Sequence, residues 1–290
     1  MRLNRFDPNN IRVGTTSGGG SFPGGGGGKL GCGTVLIAII GALVFGLDPA
    51  QTIGALGGGE PAEVQQQADT EGQSTEELCT SNQYSLETCN ALSSLNQTWE
   101  RIFQEQNAAF SQPTLKFVAS NQFNSGCGPA STGMGPFYCP ADQGIYIDTG
   151  FYEQLAQMAG ERGDFARYYV VAHEYGHHVQ TITGVAEQIR SAQQQNPRAA
   201  NRLQTLMELH ADCYAGVWAG RNRNLIEPGD MEEGMNAAAS IGDDTLQRNS
   251  GQRVDPESFT HGSSAQRMQA LRLGLETGDD RRCDGIFETG

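Results

Sequence analysis

Residues 170–180, VVAHEYGHHVQ, constrain this fold most, because they hold three of the chain's five histidines. On a helix, His173 and His177 lie one turn apart, with Cβ atoms about 5–6 Å from each other. Two imidazoles at this spacing can converge on one Zn²⁺, but a catalytic zinc usually takes three protein ligands. The alternative is a core helix that carries its histidines by chance.

The residues between the two histidines also suit a catalytic metal. Glu174 points about 100° around the helix from His173, so it would flank the metal and reach a water as general base. This His-Glu-x-x-His spacing is a known pattern of zinc metalloproteases. Gly176 has no side chain and would let another backbone approach closely.

A second predicted helix, in which residues 207–216 read MELHADCYAG, offers candidates for the third ligand. Glu208, His210 and Asp212 are the candidates. Glu208 and Asp212 share one face of the helix, whereas His210 points nearly the opposite way. Asp212 could accept the second ring N–H of a zinc-bound histidine and fix its tautomer. The alternative, a solvated acidic face, suits this mostly apolar helix poorly.

The order of predicted elements indicates the fold class. Strand-like alternation occurs in LKFVAS (115–120) and GIYID (144–148), after a helical pattern, LSSLNQTWERIFQEQ. Helical patterns follow at residues 150–159, 165–182, 198–219, 231–249 and 264–275. A few strands followed by many helices predict an α+β domain. GIYID is either an edge strand that pairs with an extended peptide or an ordinary core strand.

The N-terminal part predicts a membrane anchor. Residues 1–29 are Gly-rich and predict a cytoplasmic tail without a folded unit. Residues 30–47 carry no charge and as a helix would span about 27 Å, close to the ~30 Å hydrocarbon core. A cleaved signal peptide or a core helix are the alternatives. Residues 48–81 predict a polar tether, and residues 82–290 the main domain.

Charge predicts the orientation and argues against one class of partner. Basic residues precede the apolar run and acidic residues follow it. We therefore expect a single-pass cell-membrane protein with a cytoplasmic N-terminus and an extracytoplasmic C-terminal domain. The net charge of −14 argues against binding of nucleic acid.

Six cysteines follow the apolar run, an even number that suits disulfides in an oxidising compartment. Sequence alone leaves their pairing open. Proximity suggests Cys79–Cys89 and Cys127–Cys139, which leaves Cys213 with Cys283. Free buried thiols are the alternative, and a structural zinc site is disfavoured because no Cys-x-x-Cys pair occurs.

Four segments together resemble the bacterial neutral zinc metallopeptidases, a family of membrane-anchored envelope proteins. These are GPFYCPADQGIYID, VVAHEYGHHVQ, ELHADCYAGVWA and FTHGSSAQR, and the resemblance spans residues 91–284. HEYGH followed by Glu208-x-x-Ala-Asp212 is also similar to the gluzincins, zinc peptidases with two His and one Glu as ligands. The resemblance implies a zincin-like domain with Zn²⁺ on His173, His177 and Glu208, and Glu174 as catalytic base.

The chain has three further histidines besides the two predicted ligands. His261, in FTHGSSAQR, precedes a predicted helix in a polar loop, and near the zinc it could stabilise the oxyanion of a tetrahedral intermediate. A surface or capping histidine is the alternative. His178 and His210 are expected to be packing or surface residues rather than ligands.

The sequence thus predicts a membrane-anchored zinc metallopeptidase that acts on peptides or proteins, with a zinc-activated water and Glu174 as general base. The main alternative is a non-catalytic, zinc-stabilised envelope scaffold or binding protein. A degenerate site would most readily lose its base, so the intact Glu174 favours the enzyme. A metal carrier is disfavoured because it would need more exposed ligands than this chain offers.

Overall fold

The fold is taken from a computed structural model, which describes residues 1–16, 73–160 and 163–288. In chain order its strands and helices are β1 (Arg12–Thr15), α1 (Thr75–Cys79), α2 (Gln83–Glu105), β2 (Thr114–Phe117), β3 (Gln122–Ser125), β4 (Gly128–Ser131), β5 (Phe137–Cys139), β6 (Gly144–Ile147), α3 (Phe151–Ala159), α4 (Asp164–Ile182), α5 (Val185–Gln195), α6 (Ala200–Arg221), α7 (Asp230–Ser240), α8 (Asp243–Asn249), α9 (Ser264–Thr277) and α10 (Gly285–Glu288).

A four-stranded sheet has the order β1-β2-β6-β5. β1, β2 and β6 are parallel, whereas β5 runs antiparallel to β6. β3 and β4 form a separate antiparallel hairpin. Small sheets followed by helices confirm the predicted α+β class. β6, which holds most of GIYID, pairs on both sides, so it is an interior strand and not a sheet edge.

Helices α4, α6 and α9 form the centre of the domain, and α6 and α9 share the most extensive contact. Glycines let these two backbones touch. A Cβ placed on Gly274 of α9 would lie 1.9 Å from the carbonyl oxygen of Cys213. A Cβ on Gly216 of α6 would lie 2.1 Å from the carbonyl oxygen of Leu271. Only residues without a side chain fit at this crossing.

Residues 231–249, predicted as one helix, form two. α7 ends at Ser240 and α8 begins at Asp243 after an extended Gly242. The break lets the Asp243 carboxylate accept hydrogen bonds from the backbone N–H groups of Thr260, His261 and Gly262, at 2.7, 2.7 and 3.1 Å. Helix periodicity alone does not reveal such a contact with a later loop.

The first 16 residues belong to the folded domain. β1 pairs with β2 in the register Arg12 to Thr114, and the side chains of Met1, Phe6 and Ile11 are buried. The α-ammonium group of Met1 donates to Asp164 at 3.0 Å and Asp230 at 2.8 Å. The expectation of an unfolded N-terminal tail is therefore wrong for residues 1–16.

The predicted membrane topology is corrected by two findings. Among the described residues, no helix combines the length and apolarity that crossing a bilayer requires. In addition, β1 hydrogen-bonds to β2, and strands of one sheet cannot lie on opposite sides of a membrane. The single-pass orientation is thus contradicted. The predicted transmembrane helix at residues 30–47 lies outside the described residues, and α1 occupies part of the expected tether.

The three disulfides join the cysteines as predicted. Cys79 pairs with Cys89, Cys127 with Cys139, and Cys213 with Cys283. The last of them joins α6 to the segment that follows α9, across 70 residues of sequence. The C-terminal segment is therefore tied covalently to the helix that supplies the predicted third ligand.

We expect Gly274→Ala to lower the free energy of unfolding by about 1–3 kcal/mol, because its methyl group would force α6 and α9 apart. Chemical denaturation of the purified protein measures this. Gly285→Ala is the matched control, since a Cβ there meets nothing within 4 Å. Equal stability of the two variants would show that the α6–α9 contact is not this close.

Candidate metal centre and active site

The candidate site lies where α4 crosses α6. The crossing is close because Gly176 faces Ala211: a Cβ on Gly176 would lie 2.9 Å from both the Cα and the carbonyl oxygen of Ala211. α4 presents His173 and His177 toward α6, which presents Glu208. The glycine within HEYGH thus allows the approach of backbone that its position suggested.

The three predicted ligands converge. Nε2 of His173 lies 3.2 Å from Oε2 of Glu208, and Nε2 of His177 lies 3.4 Å from the same oxygen. One ligand atom from each of the three residues lies within 4.8 Å of the others. Donor atoms of a tetrahedral zinc site, each 2.0–2.2 Å from the ion, are about 3.4 Å apart. Two imidazoles and one carboxylate therefore fit zinc in type, number and spacing.

The second nitrogen of His173 is held by a buried ionic network. Nδ1 of His173 lies 2.8 Å from Oδ1 of Asp212. Arg267 donates to both carboxylate oxygens of Asp212, at 2.8 and 2.9 Å, and the Tyr169 hydroxyl donates to Oδ1 at 2.6 Å. Asp212 and Arg267 are almost fully buried. Because a carboxylate only accepts, Nδ1 of His173 carries its proton, which leaves Nε2 for the metal.

The electrostatics of the network follow from burial and charge. Burial raises the pKa of Asp212, but the positive charges of Arg267 and His173 outweigh it and lower that pKa to about 2. Burial lowers the pKa of His173, but the charge of Asp212 and hydrogen bonds to Asp212 and Glu208 raise it to about 10. Asp212 is therefore ionised, and zinc bound at Nε2 of His173 would displace the proton that the ring holds there in the absence of metal.

Glu208 is also ionised. Burial raises the pKa of its carboxyl, but the charge of His177 and hydrogen bonds from both histidines hold it well below the usual value. Glu174 differs, because burial raises its pKa and the charges of His173 and His177 offset this only in part. Of the two carboxylates, Glu174 is thus the better proton acceptor.

The His261 ring is oriented by a hydrogen bond to Asp243. Its Nδ1 lies 3.0 Å from Oδ1 of Asp243, the carboxylate that also anchors the backbone of this loop. Its Nε2 is buried without a hydrogen-bond partner among the described residues. The loop that carries His261 lies against α6 near Glu208, since the Thr205 hydroxyl donates to the carbonyl oxygen of Phe259 at 3.2 Å. The His261 side chain is buried, so it is not a surface histidine.

The other two histidines do not join the ligand cluster. His178 is buried; its Nε2 donates to the carbonyl oxygen of Ser111 at 2.7 Å, and the Tyr138 hydroxyl lies 3.2 Å from its Nδ1. Burial lowers the pKa of His178 to about 4, so it is neutral. His210 is also fully buried, and its Nδ1 contacts Gln180.

Sequence reasoning missed three residues of the site: Tyr169, Asp243 and Arg267. Arg267 ends the quoted motif FTHGSSAQR, so a signal was present, but nothing in the pattern shows that α9 delivers it to Asp212. Tyr169 lies one turn before His173, on the same face of α4, and this spacing could have identified it.

Comparison with known proteins agrees with this geometry. Residues 2–286 match the family described as "Putative neutral zinc metallopeptidase". The chain belongs to this family. The resemblance inferred from the sequence is thereby confirmed, and the zinc-type donor set is what the family description leads us to expect.

Curated proteins similar to this family member include one from Escherichia coli and one from Mycobacterium tuberculosis. The chain is 39% identical over 287 residues to "Uncharacterized protein YpfJ" of Escherichia coli (strain K12), covering 97% of this chain and 96% of that protein. It is 43% identical over 188 residues to "Uncharacterized protein Rv2575" of Mycobacterium tuberculosis (strain ATCC 25618 / H37Rv), covering 60% and 62%. Neither name states an activity. No solved structure gives a significant match.

We expect Asp212→Asn to lower the free energy of unfolding by about 3–5 kcal/mol, because the buried Arg267 charge would lose its counter-ion. Denaturant titration of the metal-free protein measures this. Asp279→Asn is the control, since it alters an Asp–Arg pair in which Arg281 is exposed and little change is expected. A similarly small loss for Asp212→Asn would contradict the network.

Proposed function

We propose that this family member hydrolyses peptide bonds with a zinc ion bound by Nε2 of His173, Nε2 of His177 and Oε2 of Glu208. The convergence of these three atoms carries the proposal, because each faces the others, while His173 and Glu208 are buried and His177 is partly buried. Three protein ligands leave a position open, as catalytic zinc sites do and structural sites do not.

The metal and Glu174 would have different roles in the hydrolysis. Zinc held here would polarise the scissile carbonyl and lower the pKa of the attacking water. Glu174 accepts the proton of that water and passes it to the leaving amine. Its buried position and raised pKa suit both steps, because the carboxylate must first take up a proton and then release it.

His261 stabilises the negative charge that develops on the carbonyl oxygen. Asp243 accepts from Nδ1 of His261, and Nε2 on the other side of the ring has no hydrogen-bond partner among the described residues. A doubly protonated His261 ring, with Asp243 accepting from Nδ1, would carry a proton on Nε2 that it can give to an oxyanion without losing another hydrogen bond.

β5 offers a place for an extended substrate. It is an edge strand of the described sheet and contacts α4. Tyr138 of β5 hydrogen-bonds to His178, the residue after His177, so this edge is fixed to the helix that carries two ligands. An extended peptide that pairs with β5 would run beside the metal site.

We expect Glu174→Gln to abolish cleavage of a quenched peptide library while it retains bound zinc, because the amide cannot accept a proton. The assay uses the purified full chain, with zinc content measured on the same samples. Chelation should also abolish the activity of the parent. Bound zinc without cleavage by the parent would favour the non-catalytic scaffold, and absence of zinc would contradict the metal site itself.

We expect His261→Phe to lower kcat by about 10²–10³-fold with little change in KM, because the hydrogen bond forms only as charge develops. Zinc content should equal that of the parent, since His261 is not a ligand in this proposal. The measurement is steady-state kinetics on one peptide cleaved by the parent. A loss of zinc instead of kcat would contradict the assigned role.

A further inference from the structure

Each predicted ligand directs one metal-binding atom at the other two ligands. A neighbouring side chain hydrogen-bonds to its second nitrogen or oxygen. Asp212 occupies the second nitrogen of His173. Two buried glutamines, which the sequence analysis did not single out, do the same for the other ligands. Oε1 of Gln180 lies 2.9 Å from Nδ1 of His177, and Nε2 of Gln204 lies 2.8 Å from Oε1 of Glu208.

The orientation of the Gln180 amide is fixed by a backbone carbonyl. Nε2 of Gln180 lies 2.6 Å from the carbonyl oxygen of Met207 and 3.2 Å from Nδ1 of His210. A carbonyl oxygen only accepts, so the NH₂ group must face Met207 and the amide oxygen must face His177. That oxygen also only accepts, so Nδ1 of His177 carries the proton. The lone pair of His177 is therefore on Nε2, the atom that faces Glu208.

The same reasoning applies to Glu208. Nε2 of Gln193 donates to the carbonyl oxygen of Ala200 at 3.1 Å and to Oε1 of Gln204 at 3.3 Å. Since the Gln204 oxygen accepts from Gln193, its NH₂ group faces Glu208 and donates to Oε1. Oε1 of Glu208 is thereby occupied, and Oε2 is the oxygen that faces both histidines.

We propose that Gln180 and Gln204 are positioning residues for the metal centre. Gln180, held by Met207 and His210, selects the tautomer of His177 that binds metal through Nε2. Gln204, held by Gln193, restricts Glu208 to one ligating oxygen. Both chains of hydrogen bonds end at α6 carbonyls, so the helix that supplies Glu208 also orients the ligands around it. This inference rests on the proposed zinc site.

The test is the zinc affinity of the purified full chain, measured by competition with a chromophoric chelator. We expect Gln180→Met and Gln204→Met each to weaken zinc binding about 10–100-fold, the usual cost of losing a ligand's hydrogen-bond partner. Gln180→Glu should bind zinc more tightly than Gln180→Met, because its carboxylate still accepts from Nδ1 of His177. A merely structural role would not give this partial rescue.

Gln247→Met is the matched control. Gln247 is a buried glutamine that bonds to Ser258 and Asp255, away from the ligands, so its loss should reduce stability without changing zinc affinity. Zinc affinities of Gln180→Met and Gln204→Met equal to that of Gln247→Met would overturn the inference and leave the proposed function standing. A parent protein that binds no zinc would overturn both.

Discussion

The close crossing of α4 and α6 is the constraint on which the rest of the structure depends. Gly176 and Ala211 bring the two backbones together, which places Glu208 opposite His173 and His177. A larger residue at either position would push the two helices apart and separate the ligands. Zinc tolerates only small displacements of its ligand atoms, so such a change would disrupt the site. Packing between two helices therefore sets the geometry of the candidate metal centre.

The buried Asp212–Arg267 pair extends this arrangement to a third helix. Desolvation of two charges is costly, so such a pair is weak evidence for stability by itself. Here it has another role, because Arg267 joins α9 to α6 through Asp212, and Asp212 in turn orients His173. Asp212 and Arg267 thus belong both to the buried contact between α6 and α9 and to the candidate site.

Residue spacing along the chain made part of the fold and of the candidate site predictable. The helix with HEYGH, the third-ligand helix and the disulfides Cys79–Cys89 and Cys127–Cys139 follow from short-range patterns, and the structure agrees with them. Cys213–Cys283 spans 70 residues and was predicted only as the pair left over. Gln180 and Gln204 contact their ligands at i+3 and i+4 spacing within α4 and α6, so helical periodicity could have singled them out, whereas Arg267 reaches Asp212 from another helix. The contacts that orient the two amides, from Met207 to Gln180 and from Gln193 to Gln204, depend on helix packing that the sequence does not display.

The wrong topology has a similar cause. Hydropathy and charge along the N-terminal residues suggested an anchor, whereas the four residues RVGT are too short to show strand periodicity. Their partner strand lies about a hundred residues later, so nothing nearby in the sequence reports the pairing. Parallel strands require such long-range partners more often than antiparallel hairpins do.

The position of β1 has a consequence for the order of folding. Its hydrogen-bond partner β2 is synthesised much later, and β6 must follow before the parallel core of the sheet is complete. Contacts between distant parts of a chain form slowly because a large loop has to close first. A nascent chain therefore carries its first strand unpaired while the helices α1 and α2 emerge, and that strand can join the sheet only after β2 has been synthesised.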